Sequence, residues 1–121
     1  MAVHGEITTE AKGSVCIVHL KGEIDVTYLP ELESNVKPLL ENMSYAAIIL
    51  DCENLIFIDS KIVGFIAYLY TSLMKADRKL AIADINETID DILTLVGLKT
   101  LISYYDSVEK ALNNILILVA K

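Results

Sequence analysis

The first part of the chain carries two segments whose apolar residues recur at every second position, the repeat of a half-buried β-strand. Residues 15–21 show it most clearly, because alternate side chains from Cys16 to Leu20 are apolar. A weaker segment at residues 6–9 precedes them, and residues 12–14 have the composition of a turn. The pattern predicts two strands joined by that turn.

Later apolar stretches are short and end in polar residues. Residues 46–50 form a continuous apolar run that ends at Asp51, and a strand that is apolar on both faces usually lies inside a largely parallel sheet. Residues 55–58 form another short apolar segment. Two further strands are predicted at residues 80–83 and 101–105.

Other segments have the three-to-four-residue apolar spacing of helices that bury one face. Four helices are predicted. The first begins near Thr27, and the second and third cover residues 60–75 and 86–96. The fourth starts at residues 106–109 and runs towards Ala120. The first has an apolar stripe from Leu29 to Met43; Pro30 is tolerable in its first turn, whereas Pro38 should bend or fray its end. Gly97 suits the left-handed position just after the third helix. Strands followed by alternating helices and strands predict an α/β layer with a mixed sheet.

Composition narrows the class of protein. The chain has 121 residues, enough for one domain, and its net charge of −7 argues against nucleic-acid and anionic-lipid partners. Cys16 and Cys52 lack metal-ligand spacing, no signal-peptide core is visible at the start, and no apolar run approaches the ~18 residues of a membrane span. We therefore expect a reduced, cytoplasmic, single-domain protein without a metal, a cofactor or a membrane partner.

A junction in the middle of the chain is the main candidate for function. The apolar run ends at Asp59 and Ser60, immediately before a predicted helix. Both residue types are common N-caps, because their side-chain oxygens accept hydrogen bonds from unpaired N–H groups, and this interpretation requires no function. Alternatively, the Ser60 hydroxyl is a phosphate site, since a helix dipole and free N–H groups favour an added anion.

The helix after this junction carries aromatic residues outside its apolar stripe. Tyr68 lies on the polar side with Lys61 and Gly64, and Phe65 lies at its edge. These rings are either part of a partner surface or two of the scattered apolar groups that every protein exposes.

Three stretches together resemble the STAS-domain proteins, specifically the bacterial anti-sigma factor antagonists. They are GEID at residues 22–25, IILDCENLIFIDSKIVG at residues 48–64 and VGLKTLISYYDSVEKAL at residues 96–112. Their order and separation are similar to the family's over nearly the whole chain. The resemblance implies a single STAS-like domain over residues 1–121, with a mixed sheet of four to five strands and about four helices, that acts by binding.

The resemblance also implies residue roles. The family's serine at this strand-to-helix junction is phosphorylated by an anti-sigma factor that is also a serine kinase, and it matches Ser60. Asp59 matches the preceding aspartate, and Asp25 matches an early aspartate placed near the phosphorylation loop. Gly64 matches the glycine one turn into the helix. The unphosphorylated domain is then expected to bind the anti-sigma factor and release the sigma factor.

The chain departs from the family pattern directly after the serine. Lys61 and Ile62 stand where a small residue and a glycine are usual. A β-branched Ile62 stiffens a loop that glycine would leave loose, and Lys61 adds a cation that either attracts ATP phosphates or disturbs the fit of a partner. Lys61, Phe65 and Tyr68 complete the predicted partner surface.

Two alternative functions remain open from the sequence. One is a STAS scaffold or regulatory module without serine switching. Another is a response-regulator receiver, a second α/β domain of this size, in which Asp51 would be the acidic residue after the third strand.

The apolar stretch at residues 115–120 would bury both sides of the last helix and could form a homodimer contact. We predict no enzyme, because no activated nucleophile is visible and His19, alone in a strand, is typical of a structural histidine.

Overall fold

A computed structural model describes the backbone of residues 3–119 and the side chains of residues 3–116. Its elements are β1 (Glu6–Lys12), β2 (Val15–Ile24), α1 (Leu29–Glu41), β3 (Ala47–Ile58), α2 (Ser60–Lys75), β4 (Lys79–Ala83), α3 (Glu87–Leu95), β5 (Ser103–Tyr105) and α4 (Val108–Val119). Short 3₁₀ turns at Val26–Tyr28 and Leu98–Thr100 precede α1 and β5.

The strands form one five-stranded sheet in the order β1-β2-β3-β4-β5. β1 is antiparallel to β2, and the other neighbouring pairs are parallel. The predicted α/β class and mixed sheet are therefore confirmed. The receiver interpretation is wrong, because receivers have the doubly wound strand order 2-1-3-4-5.

β3 is longer than the sequence pattern predicts. The segments at residues 46–50 and 55–58 belong to one strand, Ala47–Ile58, which continues through Asp51. Asp51 does not end the strand, because it pairs with β4 and its carboxylate lies 2.6 Å from His19 of β2. Polar residues at 51, 53 and 54 lie inside β3, so the sequence pattern there resembles a strand end although the strand continues.

The two faces of the sheet carry separate apolar clusters. Helices α1, α2 and α3 cover one face and form the larger cluster, with members such as Val36, Leu69 and Leu93. α4 covers part of the other face through Ala111 and Ile115. A strand alternates its side chains between faces, so each parallel strand contributes to both clusters.

The boundaries of the other elements differ from the predictions by a few residues. β1 and β2 extend further, to Lys12 and Ile24. A 3₁₀ turn occupies the predicted start of the first helix, so α1 begins at Leu29. α1 continues through Pro38 to Glu41 and leaves Met43 beyond its end, 64% exposed, so Met43 does not belong to the apolar stripe.

The remaining predictions concern the second half of the chain. The helix predicted at residues 60–75 is confirmed without change. α3 ends close to Gly97, which takes the expected left-handed conformation with φ +84°. The last predicted strand is shorter, because the N–H groups of Leu101 and Ile102 donate to the Leu98 carbonyl and β5 begins only at Ser103.

The C-terminal helix bears on the predicted homodimer contact. Within it Ile115 is buried and Leu116 is 38% exposed. The side chains of residues 117–119 and the whole of Ala120 lie outside the described residues, so the prediction of a contact there stays a prediction. Among the described helices, none combines the length and apolarity needed to cross a membrane.

Candidate functional site

The carboxylate of Asp59 organises the start of α2. β3 ends at Ile58, and Asp59 keeps an extended backbone as the helix N-cap. Its Oδ1 accepts hydrogen bonds from the N–H groups of Lys61 and Ile62, both at 3.1 Å. Its own carbonyl accepts the Val63 N–H at 3.0 Å. The capping interpretation of this junction is therefore correct for Asp59.

Ser60 is the first residue of α2, and its side chain is exposed to solvent. Its hydroxyl makes no hydrogen bond to any residue within the described part of the chain. The Asp59 carboxylate already accepts from the N–H groups of Lys61 and Ile62, so these two groups are engaged, and the expectation that the helix start favours an added anion stays a prediction. A group attached to Ser60 would face outward from the domain.

A second loop is joined to this junction by one hydrogen bond. The N–H of Val26 donates to Asp59 Oδ2 at 2.8 Å, across 33 positions of sequence. Asp25, the residue before Val26, accepts from the hydroxyl and the N–H of Thr27. These bonds, the one from the hydroxyl foremost, lower the pKa of Asp25. Two predicted site residues, Asp25 and Asp59, thus lie in loops that hold each other in place.

The role of Val26 was not predictable from the sequence. It contributes its main-chain N–H, a group that every residue except proline carries. Residue type therefore gives no signal for this contact, which depends on the two strand ends being neighbours in the sheet.

The departures from the family pattern lie in different environments. Ile62 is fully buried in the larger apolar cluster, so it alters core packing and is not on the surface a partner meets. Lys61 is exposed beside Ser60. Gly64, one turn further along, is exposed, and a Cβ added there would have no neighbour within 4 Å. The surface of α2 next to Ser60 therefore carries no side chain at Gly64 and is open to solvent.

Two aromatic residues of α2, Phe65 and Tyr68, line a groove against α1. Phe65 is half-buried and Tyr68 is 59% exposed, and their ring centroids are 6.1 Å apart. The groove has a volume of about 910 Å³ and also includes Lys61. The structure thus brings Lys61, Phe65 and Tyr68 into one concave surface that begins next to Ser60. Their role in partner binding stays a prediction.

A charged network on the other face of the sheet was also not recognised from the sequence. His19 of β2 lies between Glu10 of β1 and Asp51 of β3, with its Nε2 at 3.0 Å from Glu10 and its Nδ1 at 2.6 Å from Asp51. Partial burial lowers the pKa of His19, but these two hydrogen bonds outweigh it and raise the pKa overall. His19 thus connects Glu10 and Asp51 rather than standing alone in its strand, and its structural role stays a prediction.

Three carboxylates meet next to this histidine. Single oxygens of Asp51, Glu53 and Asp84 lie within 4.8 Å of one another, the one such group of possible metal ligands in the described part of the chain. The histidine contact and the N–H of Glu53, 3.1 Å from Asp51 Oδ1, already engage both Asp51 oxygens. These residues have no metal-ligand spacing in the sequence, because Asp51 and Glu53 lie within β3 and Asp84 directly follows the neighbouring strand β4.

The chain is similar in sequence to two anti-sigma factor antagonists. An anti-sigma F factor antagonist of Paenibacillus polymyxa is 26% identical over 110 residues, covering 91% of this chain and 94% of its own length. An anti-sigma-B factor antagonist of Staphylococcus aureus is 28% identical over 109 residues, covering 90% and 98%.

Solved structures show the same fold. SpoIIAA, a cell fate determinant of Bacillus and an anti-sigma factor antagonist, is 18% identical in both of its solved forms and covers 91% of this chain. The TM-score is 0.81 for the unphosphorylated form, with 96% of that chain covered, and 0.75 for the phosphorylated form, with 99% covered. The STAS domain model matches residues 6–111. The chain belongs to the STAS domain family.

Proposed function

We propose that this protein is an anti-sigma factor antagonist that binds an anti-sigma factor of the serine-kinase type through the surface around Ser60. Binding releases the sigma factor in the cytoplasm, and phosphorylation of Ser60 ends it. The observation that carries the proposal is the exposed Ser60 hydroxyl at the start of α2, which has no hydrogen-bond partner among the described residues. The names of the two sequence relatives, each matched over nearly its whole length, support the same function.

The physical basis of the switch is the added charge. A phosphate on Ser60 brings about −1.5 to −2 charges, and the N–H groups of Lys61 and Ile62 are not free to neutralise it. The new anion would also stand beside the Asp59 carboxylate. A partner that covers this surface would have to desolvate the phosphate, and such like-charge crowding costs several kcal/mol.

The test is a binding measurement with a purified kinase-type anti-sigma factor encoded in the same genome, by calorimetry. The unmodified protein and Ser60→Ala should both bind. Phosphorylation of Ser60 should weaken binding about a hundredfold or more, and Ser60→Asp about tenfold or more, since each 1.4 kcal/mol is a factor of ten. Equal affinity of the phosphorylated and unmodified forms would overturn the switch, and no binding by the unmodified protein would overturn the function.

A matched control separates local charge from total charge. Ser103 of β5 is also an exposed serine, and Ser103→Asp adds the same charge away from the proposed surface. It should bind like the unmodified protein. If Ser103→Asp weakened binding as much as Ser60→Asp, the effect would come from the net charge of the whole molecule.

Lys61 favours a second candidate, a STAS module that binds its partner without being switched. It places an exposed cation where the family has a small residue, directly beside the hydroxyl that a kinase would have to reach. Incubation with the anti-sigma factor and ATP, followed by mass spectrometry, distinguishes the two functions. Phosphorylation of Lys61→Ser but not of the natural sequence would establish the unswitched module.

A further inference from the structure

The groove between α1 and α2, with a volume of about 910 Å³, is an open concave surface of the domain. Half-buried apolar side chains of Leu29 and Leu40 on α1 and Phe65 on α2 line it, together with the more exposed ring of Tyr68. It extends along the whole of α1, 13 residues or about 20 Å at 1.5 Å per residue. That length matches about three and a half turns of another helix.

Charges along the rim of the groove follow a regular pattern. Glu33, Lys37 and Glu41 of α1 are four residues apart, so they lie on one face of that helix, and Lys61 stands on the α2 side. The four charges cancel, although the protein as a whole carries −7. An apolar groove with a neutral, alternating rim can accept an apolar segment without repelling it.

We propose that this groove binds an amphipathic helix of the anti-sigma factor, with basic residues opposite Glu33 and Glu41 and an acidic residue opposite Lys37. The inference rests on the proposed function and adds the kind of partner segment that this surface fits. The occupant is a helix because the groove is lined by helix side chains and offers no strand edge. An extended segment would leave its backbone N–H and C=O groups unpaired against apolar surface, whereas a helix satisfies its own.

The position of the groove links it to the switch. Lys61 lines the groove, and Ser60 is the residue directly before Lys61 in the sequence. A phosphate on Ser60 would therefore place a dianion at one end of the groove, where it competes for Lys61 and repels acidic groups of the docked helix. One modification would then act on both the contact at Ser60 and the seating of the helix.

The first test fills the groove without removing a contact. Ser34 is an exposed residue of α1 that lines the groove, and Ser34→Trp should weaken binding to the purified anti-sigma factor about tenfold or more. Thr88 is exposed on α3, which does not line the groove, so Thr88→Trp is the matched control and should bind within about twofold of the natural sequence. Circular dichroism and thermal unfolding check that both variants are folded.

The outcomes separate the two proposals. If Ser60→Asp weakens binding while Ser34→Trp binds normally, the groove proposal is overturned and the proposed function stands. If the natural sequence binds no anti-sigma factor, both are overturned. Sedimentation in which the natural protein dimerises and Ser34→Trp does not would assign the groove to a second copy of this chain and also overturn the proposal.

A second variant and a second measurement keep the test decisive if Ser34→Trp fails to fold. Lys37→Glu reverses one rim charge and should slow association about threefold or more at low salt, with the difference shrinking at high salt. Hydrogen exchange of the complex should protect α1 and α2 and one helical segment of the anti-sigma factor. Protection confined to the loops around Asp25 and Ser60 would overturn the proposal.

Discussion

Asp59 uses its two carboxylate oxygens for different hydrogen bonds. Oδ1 caps α2, and Oδ2 holds the N–H of Val26. We expect Asp59→Ala to lower the free energy of unfolding by about 1–2 kcal/mol, because it removes an N-cap and leaves a further N–H without its acceptor. Urea denaturation measures this.

The neighbouring serine provides the control for that substitution. Ser60 lies at the same junction but makes no hydrogen bond with the described residues, so Ser60→Ala should change the unfolding free energy by less than about 0.5 kcal/mol. If Asp59→Ala lowered the unfolding free energy no more than Ser60→Ala does, the capping role of the Asp59 carboxylate would be contradicted.

The stability of the fold also depends on one buried guanidinium group, that of Arg78, a residue that is 6% exposed. It donates to the carbonyls of Leu39, Leu40, Asn42 and Tyr45 at 2.7–3.2 Å and so satisfies the C-terminal end of α1. Burial lowers its pKa. Arg78→Met keeps the bulk but removes every donor, and we expect it to destabilise the fold by about 3 kcal/mol.

Thermal and urea unfolding test this expectation against Lys79→Met. Lys79 is the next residue and is exposed, so its substitution should change stability by less than about 0.5 kcal/mol. A loss for Arg78→Met no larger than this would show that water replaces the guanidinium at no penalty.

At the scale of single elements, Gly64 weakens the helix that carries the candidate site. Glycine inside a helix is less stable than alanine by roughly 0.5–1 kcal/mol, and the added Cβ of Gly64→Ala would meet no atom within 4 Å. We expect this variant to be more stable by about that amount in urea denaturation. Gly97→Ala is the contrasting control: Gly97 has φ +84°, so alanine there should destabilise by about 1 kcal/mol or more. A loss of stability for Gly64→Ala would contradict the open helix surface.

His19 links three strands in a pH-dependent way. Its pKa is raised in the folded state, despite partial burial, by hydrogen bonds to Glu10 and Asp51. Its stabilising contribution is therefore fully present below its unfolded pKa of about 6.5 and is lost as the pH rises through the higher folded value. The unfolding free energy of the natural sequence should exceed that of His19→Gln most at about pH 5.5 and least at about pH 9, by no more than about 1 kcal/mol.

The matched control for this pH profile is Thr88→Gln, at an exposed position of α3 that carries no titrating group. It should follow the natural sequence across the same pH range. A difference between His19→Gln and the natural sequence that grew with pH would reverse the assigned sign and contradict the ion pairs.

Local patterns predicted the boundaries of α2, but not the 3₁₀ turn before α1 or the contacts between elements. The period change at Asp59 gave the start of α2 correctly, because capping depends on residues next to each other in sequence. The role of Asp51 was missed because its partner, His19, is 32 positions away. The groove was missed for a similar reason: its shape depends on how α1 lies against α2, which no periodicity encodes.

At the scale of the whole molecule, phosphorylation is expected to change binding without changing the fold. Ser60 is exposed, and its hydroxyl forms no hydrogen bond with the described part of the chain. The phosphorylated and unmodified proteins should therefore unfold within about 0.5 kcal/mol of each other in urea. Changes in amide chemical shift should be confined to residues 25–28 and the first turn of α2. Shifts spread through β4 and β5 would indicate a conformational change instead.

The hydrogen bond between Val26 and Asp59 makes the candidate site discontinuous in sequence. A synthetic peptide that spans residues 55–65 would carry Ser60, the proposed phosphate acceptor, but would lack the Val26 N–H that holds the neighbouring Asp59 carboxylate. Grafting the site onto another scaffold would likewise require two loops, held at the spacing of adjacent parallel strands. The smallest part of the protein that could reproduce this site is a pair of adjacent strand ends. The short motif therefore depends on the domain that holds those two ends together.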